Sequence, residues 1–287
     1  MSAARVPLLA SARAELLRLR RWPALWVMLG VGMLLDLLFG YVFNYLGYRS
    51  GSGSEVNERT PPDQILHGLL PGGVPETTLA GMPLFGGAIL LLLGALTIGG
   101  GYGWGTWKTV LTQGPGRASA YGGTLAALAT VVVTLVTAVF LVNFGAALLV
   151  SVLESQAPHW PPAADVARAY GAALLIYAMW TAAGVLAGTL ARGPALAVGL
   201  GLVWALAVEN LLRGVANVLG AVAPVADVLP GTAAGSLAGG LGATAFADDG
   251  TPGVLTTLDA GPAALLLAVY TAVFALAAGA LILRRDV

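Results

Sequence analysis

The side chains best placed for chemistry are polar groups inside otherwise apolar stretches. Asp36 lies about 20 Å along a helix from Pro23, within a long apolar run. Gly32 and Gly40 flank it one helical turn away, and Asn44 continues the same face. A charge inside hydrocarbon is costly and is often functional. Two interpretations of Asp36 stay open: a polar lining of a pathway or partner contact, or a structural hydrogen bond to a neighbouring helix.

Glu209 is a second carboxylate inside an apolar run. It lies near the predicted outer end of its helix, where water is close and a charge costs less. That position favours an ordinary solvated carboxylate. Glu209 nevertheless joins Asp36 and Asn44 as a possible pathway or helix-contact residue.

Groups for catalysis or metal binding form no recognisable pattern. The chain has no cysteine, and His67 and His159 fall in predicted loops. HExxH and GxSxG are absent, which argues against zinc-protease and serine-hydrolase chemistry. The glycine-rich run at 99–105 lacks Walker spacing, because Lys108 follows Trp107 and not a glycine. We therefore predict no catalytic residue, no metal ligand and no cofactor in this chain.

The composition indicates what surrounds these residues. The chain is 57% hydrophobic and 10% charged, whereas soluble domains carry roughly 25% charge. So few charges suffice only if lipid is the main solvent. The formal net charge is zero, so a nucleic-acid partner has no electrostatic support. The sequence predicts a single transmembrane domain over residues 1–287.

Six windows are long enough to span a bilayer as helices, which takes about 20 apolar residues. They are Pro23–Tyr45, Met82–Trp104, Ala118–Leu153, Ala169–Ala191, Pro194–Leu212 and Pro262–Leu283. The third window is too long for one crossing. Its helix either projects beyond the hydrocarbon or breaks near Asn143–Gly145.

The segments between the windows are predicted loops. Leu46–Gly81 is polar and reads as a solvated outer loop. Val228–Ala247 is uncharged but rich in glycine, so its transfer to lipid is poor and we reject a seventh span. We expect Arg213–Gly261 to form an outer loop with short re-entrant helices. No internal repeat supports an inverted-repeat secondary transporter.

Basic residues set the orientation, since they concentrate on the cytoplasmic side. With both termini inside, the inner side holds ten, which are Arg5, Arg13, Arg18, Arg20, Arg21, Lys108, Arg117, Arg192, Arg284 and Arg285. The outer side holds four, which are Arg49, Arg59, Arg168 and Arg213. Residues 8–22 have leucines at helical spacing and four of the inner arginines. They predict an amphipathic interfacial helix facing anionic headgroups; the alternative is a plain basic flank.

The inner loop after the second window reads Gly-Thr-Trp-Lys-Thr-Val-Leu-Thr-Gln-Gly-Pro-Gly-Arg over residues 105–117. This loop resembles the cytoplasmic loop of type-2 ABC transporter permeases of bacterial exporters. The basic N-terminal helix, the Val228-Leu-Pro230 stretch and the terminal Leu-Arg-Arg-Asp-Val are also similar to that family. The resemblance covers the whole chain in architecture, but only the loop at residue level.

The resemblance implies an all-α membrane protein with six transmembrane helices, an N-terminal interfacial helix and short re-entrant helices between spans five and six. Two permease chains, identical or homologous, would bind separate ATPase subunits that hold the ATP and magnesium. The ATPase-coupling residues would be Gly105, Thr106, Trp107, Lys108 and Arg117. The interfacial helix, with Arg13, Arg18, Arg20 and Arg21, would share that contact.

The sequence departs from the family pattern at three places. An acidic and a basic residue often precede this Gly-Thr, but here those places hold Gly101 and Gly103. A lysine common early in the third span is missing near Gly122–Gly123. Either coupling is weakened or shared with a different permease, or the sequence has simply diverged.

The function expected from the resemblance is a permease of an ATP-driven exporter in the cytoplasmic membrane. An aliphatic pathway wall would suit an amphipathic, drug-like, peptide or lipid-like substrate. The alternatives are a membrane assembly subunit that does not transport, and a secondary transporter. Stimulation of an ATPase by substrate separates the first from the second. Co-purification with an ATPase separates the first from the third.

The basic asymmetry predicts the accessibility of the chain in intact cells. Tags at both termini should be inaccessible from outside, while a label near Gly51 should be accessible. Protease protection and impermeant labelling measure this. A C-terminus that is accessible from outside would contradict the six-span orientation.

Overall fold

The computed structural model describes residues 8–50, 61–112, 114–216, 218–243 and 252–284, and these residues form helices without any strand. Six helices are long and apolar enough to cross a membrane. The spans are α2 (Pro23–Ser50), α5 (Met82–Gly103), α7 (Arg117–Leu153), α8 (Ala163–Ala191), α9 (Pro194–Ala216) and α12 (Ala260–Arg284). The shorter helices are α1 (Leu8–Arg20), α3 (Pro62–Leu69), α4 (Val74–Ala80), α6 (Thr106–Thr112), α10 (Gly220–Asp227) and α11 (Pro230–Gly240). The prediction of an all-α chain with six such helices is confirmed.

Contacts between helix termini show that α7 runs antiparallel to α12 and in the same direction as α2. Arg117, at the start of α7, donates from Nη1 to the Leu283 carbonyl near the end of α12, at 3.3 Å. Tyr45, near the end of α2, donates to Glu154 Oε1 just after α7, at 2.7 Å. We call the end of the bundle at Arg117 the α1 end, because Ser11 of α1 lies 3.3 Å from Ser119 there, oxygen to oxygen. We call the opposite end the Glu154 end.

Glycines allow α5 and α8 to pack backbone against backbone at the centre of the bundle. A Cβ placed on Gly94 of α5 would lie 2.2 Å from the Thr181 carbonyl oxygen. A Cβ on Gly184 of α8 would lie 2.0 Å from the Leu91 carbonyl oxygen. Small residues serve this purpose in membrane helices, where close van der Waals packing replaces the hydrophobic drive between helices.

The third span, α7, is one continuous helix of 37 residues. It is about 55 Å long and therefore exceeds a hydrocarbon core of about 30 Å. No break occurs at Asn143–Gly145, so the alternative of a broken helix is wrong, while projection beyond the hydrocarbon stays a prediction. Asn143 is buried and donates from Nδ2 to Thr78 Oγ1 of α4, at 2.9 Å. The amide side chain thus links α7 to α4 without disturbing the backbone of α7.

Residues 61–81 correct the prediction of a solvated loop, while residues 51–60 lie outside the described part of the chain. Two short helices, α3 and α4, pack into the core through Ile65, Leu69, Val74 and Leu79, which are all buried. Each begins with a proline in its first turn, where the missing N–H costs nothing. The many prolines and glycines in this stretch favoured the prediction of a loop. The structure instead places two of the prolines in the first turns of helices.

The stretch after α9 contains two short helices and no straight seventh span. Helices α10 and α11 meet at an angle of 74°. Tyr270 of α12 donates to the Val228 carbonyl between them at 2.7 Å, and Thr232 donates to the Ala226 carbonyl at 2.7 Å. These bonds satisfy carbonyls that the bend releases. Residues 244–251, which include the end of the predicted segment, lie outside the described chain.

We predict that Gly184→Ala destabilises the folded protein, because the new methyl group meets the α5 backbone. Overpacking of this kind costs about 1–3 kcal/mol, so the thermal midpoint in detergent should fall. Gly171→Ala is the control, since Gly171 lies on the same helix with no neighbour within 4 Å of a new Cβ. Equal midpoints for the two variants would contradict the close approach of α5 and α8.

Candidate functional site

A cavity of about 200 Å³ lies between α2, α3, α4 and α5, with Tyr177 of α8 at its wall. The face of α2 that lines it carries the residues expected to share one side of a helix. These are Gly32, Leu35, Asp36, Phe39, Gly40 and Asn44. The predicted juxtaposition of Asp36 with its flanking glycines and Asn44 is therefore correct. The opposite wall comes from the segment predicted to be a solvated loop, so the sequence could not show the cavity.

Asp36 has an acceptor atom without a partner. Its Oδ2 is shielded from the surface and accepts no hydrogen bond from the described residues. Its hydrogen-bonding neighbour is Asn143 of α7. Asn143 Oδ1 and the buried Tyr41 hydroxyl also lack partners among the described residues. Both interpretations of Asp36 therefore have support: it is hydrogen-bonded to a neighbouring helix, and it also lines a cavity.

Two stretches of π-helix border the cavity, at Leu38–Val42 in α2 and Met82–Gly86 in α5. A π-helix widens the turn and leaves carbonyl groups with altered bonding, and it often occurs at functional sites. Asn44 donates from Nδ2 to the carbonyls of Phe39 and Gly40, at 2.9 and 3.0 Å. Asn44 therefore stabilises the widened turn next to Asp36.

Glu209 is fully buried, which corrects the expectation of a solvated carboxylate. Its Oε1 accepts from Trp204 Nε1 at 2.9 Å, and its Oε2 accepts from the Gly231 backbone N–H at 2.8 Å. Gly231 lies in the first turn of α11, where free N–H groups attract an anion. Glu209 fixes the start of α11 and lies outside the cavity. The sequence could not show this, because α11 folds back onto α9.

Glu154 is a structural carboxylate that the sequence did not single out. It accepts hydrogen bonds from Tyr45 and Tyr48 at 2.7 and 3.3 Å, and Arg49 lies 3.3 Å away. Together these contacts hold the end of α2 against the end of α7. No spacing in the sequence links residues 45–49 with residue 154.

A second cavity, of about 320 Å³, lies at the α1 end. Helix α1 borders it with Glu15 and Arg18, and α6 borders it with Thr106 and Trp107. The two segments that the family resemblance assigns to ATPase coupling therefore lie side by side. Gly105 has φ +65°, a backbone conformation that favours glycine, and it turns the chain from α5 into α6.

Trp107 is buried within this chain, contrary to its expected role as a contact residue. Its Nε1 donates to the Ile98 carbonyl at 3.4 Å, and its ring lies 6.0 Å from that of Tyr102. Lys108 is exposed, and Trp104 is 69% exposed. Arg117 is bound to the end of α12. The surface open to a partner thus includes Trp104 and Lys108, while Trp107 anchors α6.

The arginines of α1 divide into two groups. Arg13, Arg20 and Arg21 are exposed. Arg18 pairs with Glu15 and donates to the Thr97 carbonyl of α5 at 3.4 Å. Arg18 therefore joins α1 to the bundle and does not face outward with the others.

The departures from the family pattern coincide with close packing. A Cβ on Gly101 would lie 2.6 Å from Trp107 Nε1, and one on Gly103 would lie 3.0 Å from Pro194. A Cβ on Gly123 would lie 2.9 Å from the Ala12 backbone nitrogen of α1. A lysine at Gly123 has no room here, because α1 occupies the surface of α7.

Comparison with known protein families found no match, and a search of curated proteins found no significant relative. Within the described residues, no group of three or more metal-ligating side chains comes together. The described residues form an all-helical protein in which six helices are long and apolar enough to span a membrane.

Glu76 of α4, outside the six spans, gives a prediction about pH. Burial raises the pKa of its carboxyl group, and nearby Asp165 raises it further. A raised pKa in the folded state means that stability falls as the pH rises above about 4.3, the unfolded value. Glu76→Gln should therefore raise the thermal midpoint in detergent at pH 7, and the gain should vanish near pH 4. A gain that is independent of pH would contradict the burial of a charged Glu76.

Proposed function

We propose that this chain is the membrane-spanning permease subunit of an ATP-driven exporter of the type-2 ABC class. The observation that carries the proposal is the shared cavity of α1 and α6 at one end of the bundle. Two segments distant in sequence, each resembling part of the coupling region of that family, meet beside an exposed tryptophan and lysine. ATP and magnesium would be held by a separate subunit.

The proposed orientation places the α1 end in the cytoplasm, with both termini there. The ten-to-four distribution of basic residues supports this. In this orientation α1 lies at the membrane interface, with Arg13, Arg20 and Arg21 available to anionic headgroups. The bent pair α10–α11 is then a re-entrant element entering from the outer side. Its buried carboxylate contact at Glu209 supplies the polar anchor that such backbone requires.

A second permease copy is proposed to pack against α2 and α9. Only 11% of the most apolar part of α2 is buried, and 22% of the most apolar parts of α9 and α12, compared with 61% for α5 and α8. Large apolar side chains cover the exposed faces, among them Trp26 and Leu34 on α2 and Leu200 and Trp204 on α9. The resemblance implies that two permease chains pair, and the weakly covered faces of α2 and α9 suit such a contact.

The decisive experiment is the recovery of an ATPase with the tagged chain from native membranes. We expect a Walker-motif subunit to co-purify with the wild-type chain and to hydrolyse ATP in the complex. Trp104→Ala combined with Lys108→Glu should leave the chain folded and abolish the recovery, because tryptophans and charges at contact centres dominate binding.

The control is Trp160→Ala, which changes another exposed tryptophan, at the Glu154 end. This variant should retain the ATPase. Failure to recover an ATPase with the wild-type chain would remove the permease proposal. Full recovery with the double variant would remove the proposed contact surface.

A further inference from the structure

We propose that the cavity beside Asp36 is a binding site for a small hydrophobic organic cation, such as an aromatic ammonium compound. The ligand would be transported cargo if the proposed function is correct, and only that statement rests on the proposed function. The binding itself depends on the cavity alone.

The charge of the site is the first argument. Among the described residues that line the cavity, Asp36 is the only carboxylate. The same set contains no lysine, arginine or histidine. The shielded Oδ2 accepts no hydrogen bond there. A carboxylate removed from water needs a cation or a full set of donors. The described residues supply Asp36 with one donor, Asn143, and with no cation, so a ligand that carries a positive charge completes the site.

The wall of the cavity is the second argument, because it selects an organic cation over a bare ion. Phe39 and Phe85 stack with ring centroids 5.4 Å apart, and both line the cavity. Tyr177 adds a third aromatic ring. Aromatic faces attract ammonium groups and hold them when water is excluded. Most of the remaining wall is aliphatic or glycine, which suits the apolar body of such a ligand.

The size of the cavity limits the ligand. A volume of about 200 Å³ is below the roughly 300–1,000 Å³ of sites for drug-sized molecules. A single aromatic ring with an ammonium group fits this scale. The widened turns of α2 and α5 create part of the space, because both π-helical stretches contribute lining residues.

The test is equilibrium binding of radiolabelled benzyltrimethylammonium to the purified full chain in phosphatidylcholine nanodiscs. Zwitterionic lipid removes unspecific attraction of the cation. We expect saturable binding at one site per chain. Asp36→Asn, which keeps the shape of the side chain, should raise Kd by at least about tenfold. The control is Asp63→Asn, which also removes one negative charge. It should leave Kd unchanged, because Asp63 is exposed on α3.

Competition with neopentylbenzene, the neutral isostere of this cation, keeps the test valid if Asp36→Asn fails to fold. The neutral compound should displace the cation from the wild-type chain only at much higher concentration. Absence of saturable binding, equal binding by Asp36→Asn, or equal competition by the neutral isostere would each overturn the proposal. ATPase recovery without cation binding would remove this site alone, and cation binding without an ATPase would remove the permease proposal alone.

Discussion

The structure depends on how carboxylates are accommodated in helices made almost wholly of apolar residues. A carboxylate shielded from water is stable only when donors or cations surround it. Glu209 receives an indole N–H and a backbone N–H, and Glu154 receives two tyrosine hydroxyls with an arginine nearby. These two groups tie helices together. Asp36 differs, because one of its oxygens has no described donor and the residue lines a cavity.

Helix α5 lines both cavities. Helix α5 contributes Phe85 to the cavity beside Asp36, and at its other end the Ile98 carbonyl accepts the indole N–H of Trp107. Glycines hold α5 in backbone contact with α8, so one helix packed at the centre of the bundle contacts both cavities. Helix α2 is covered far less, so the cavity beside Asp36 lies between a buried pair of helices and one that is mostly exposed. This arrangement suits the proposed permease, in which events at one end alter a site nearer the other.

The sequence was sufficient for the elements that depend on local pattern. Apolar length predicted the six spans, and periodicity predicted a helix over residues 8–22, where the structure has α1 at Leu8–Arg20. Composition argued against a straight span at Val228–Ala247. Asp36 was identified as a candidate site residue because a carboxylate within an apolar run is unusual. What could not be predicted depends on contacts between distant segments: the burial of α3 and α4, the capping of α11 by Glu209, and the inward position of Trp107. Each of these features depends on how distant helices pack together, and the periodicity of a sequence carries no information about that packing.

The difference between Asp36 and the paired carboxylates is open to direct measurement. Dicyclohexylcarbodiimide enters membranes and converts an accessible carboxyl group to an N-acylurea, which mass spectrometry locates by peptide. The account predicts that Asp36 is modified much faster than Glu209 or Glu154, and that benzyltrimethylammonium slows the reaction at Asp36 alone. Modification of Glu209 at a rate equal to that of Asp36, or an Asp36 that does not react, would contradict it.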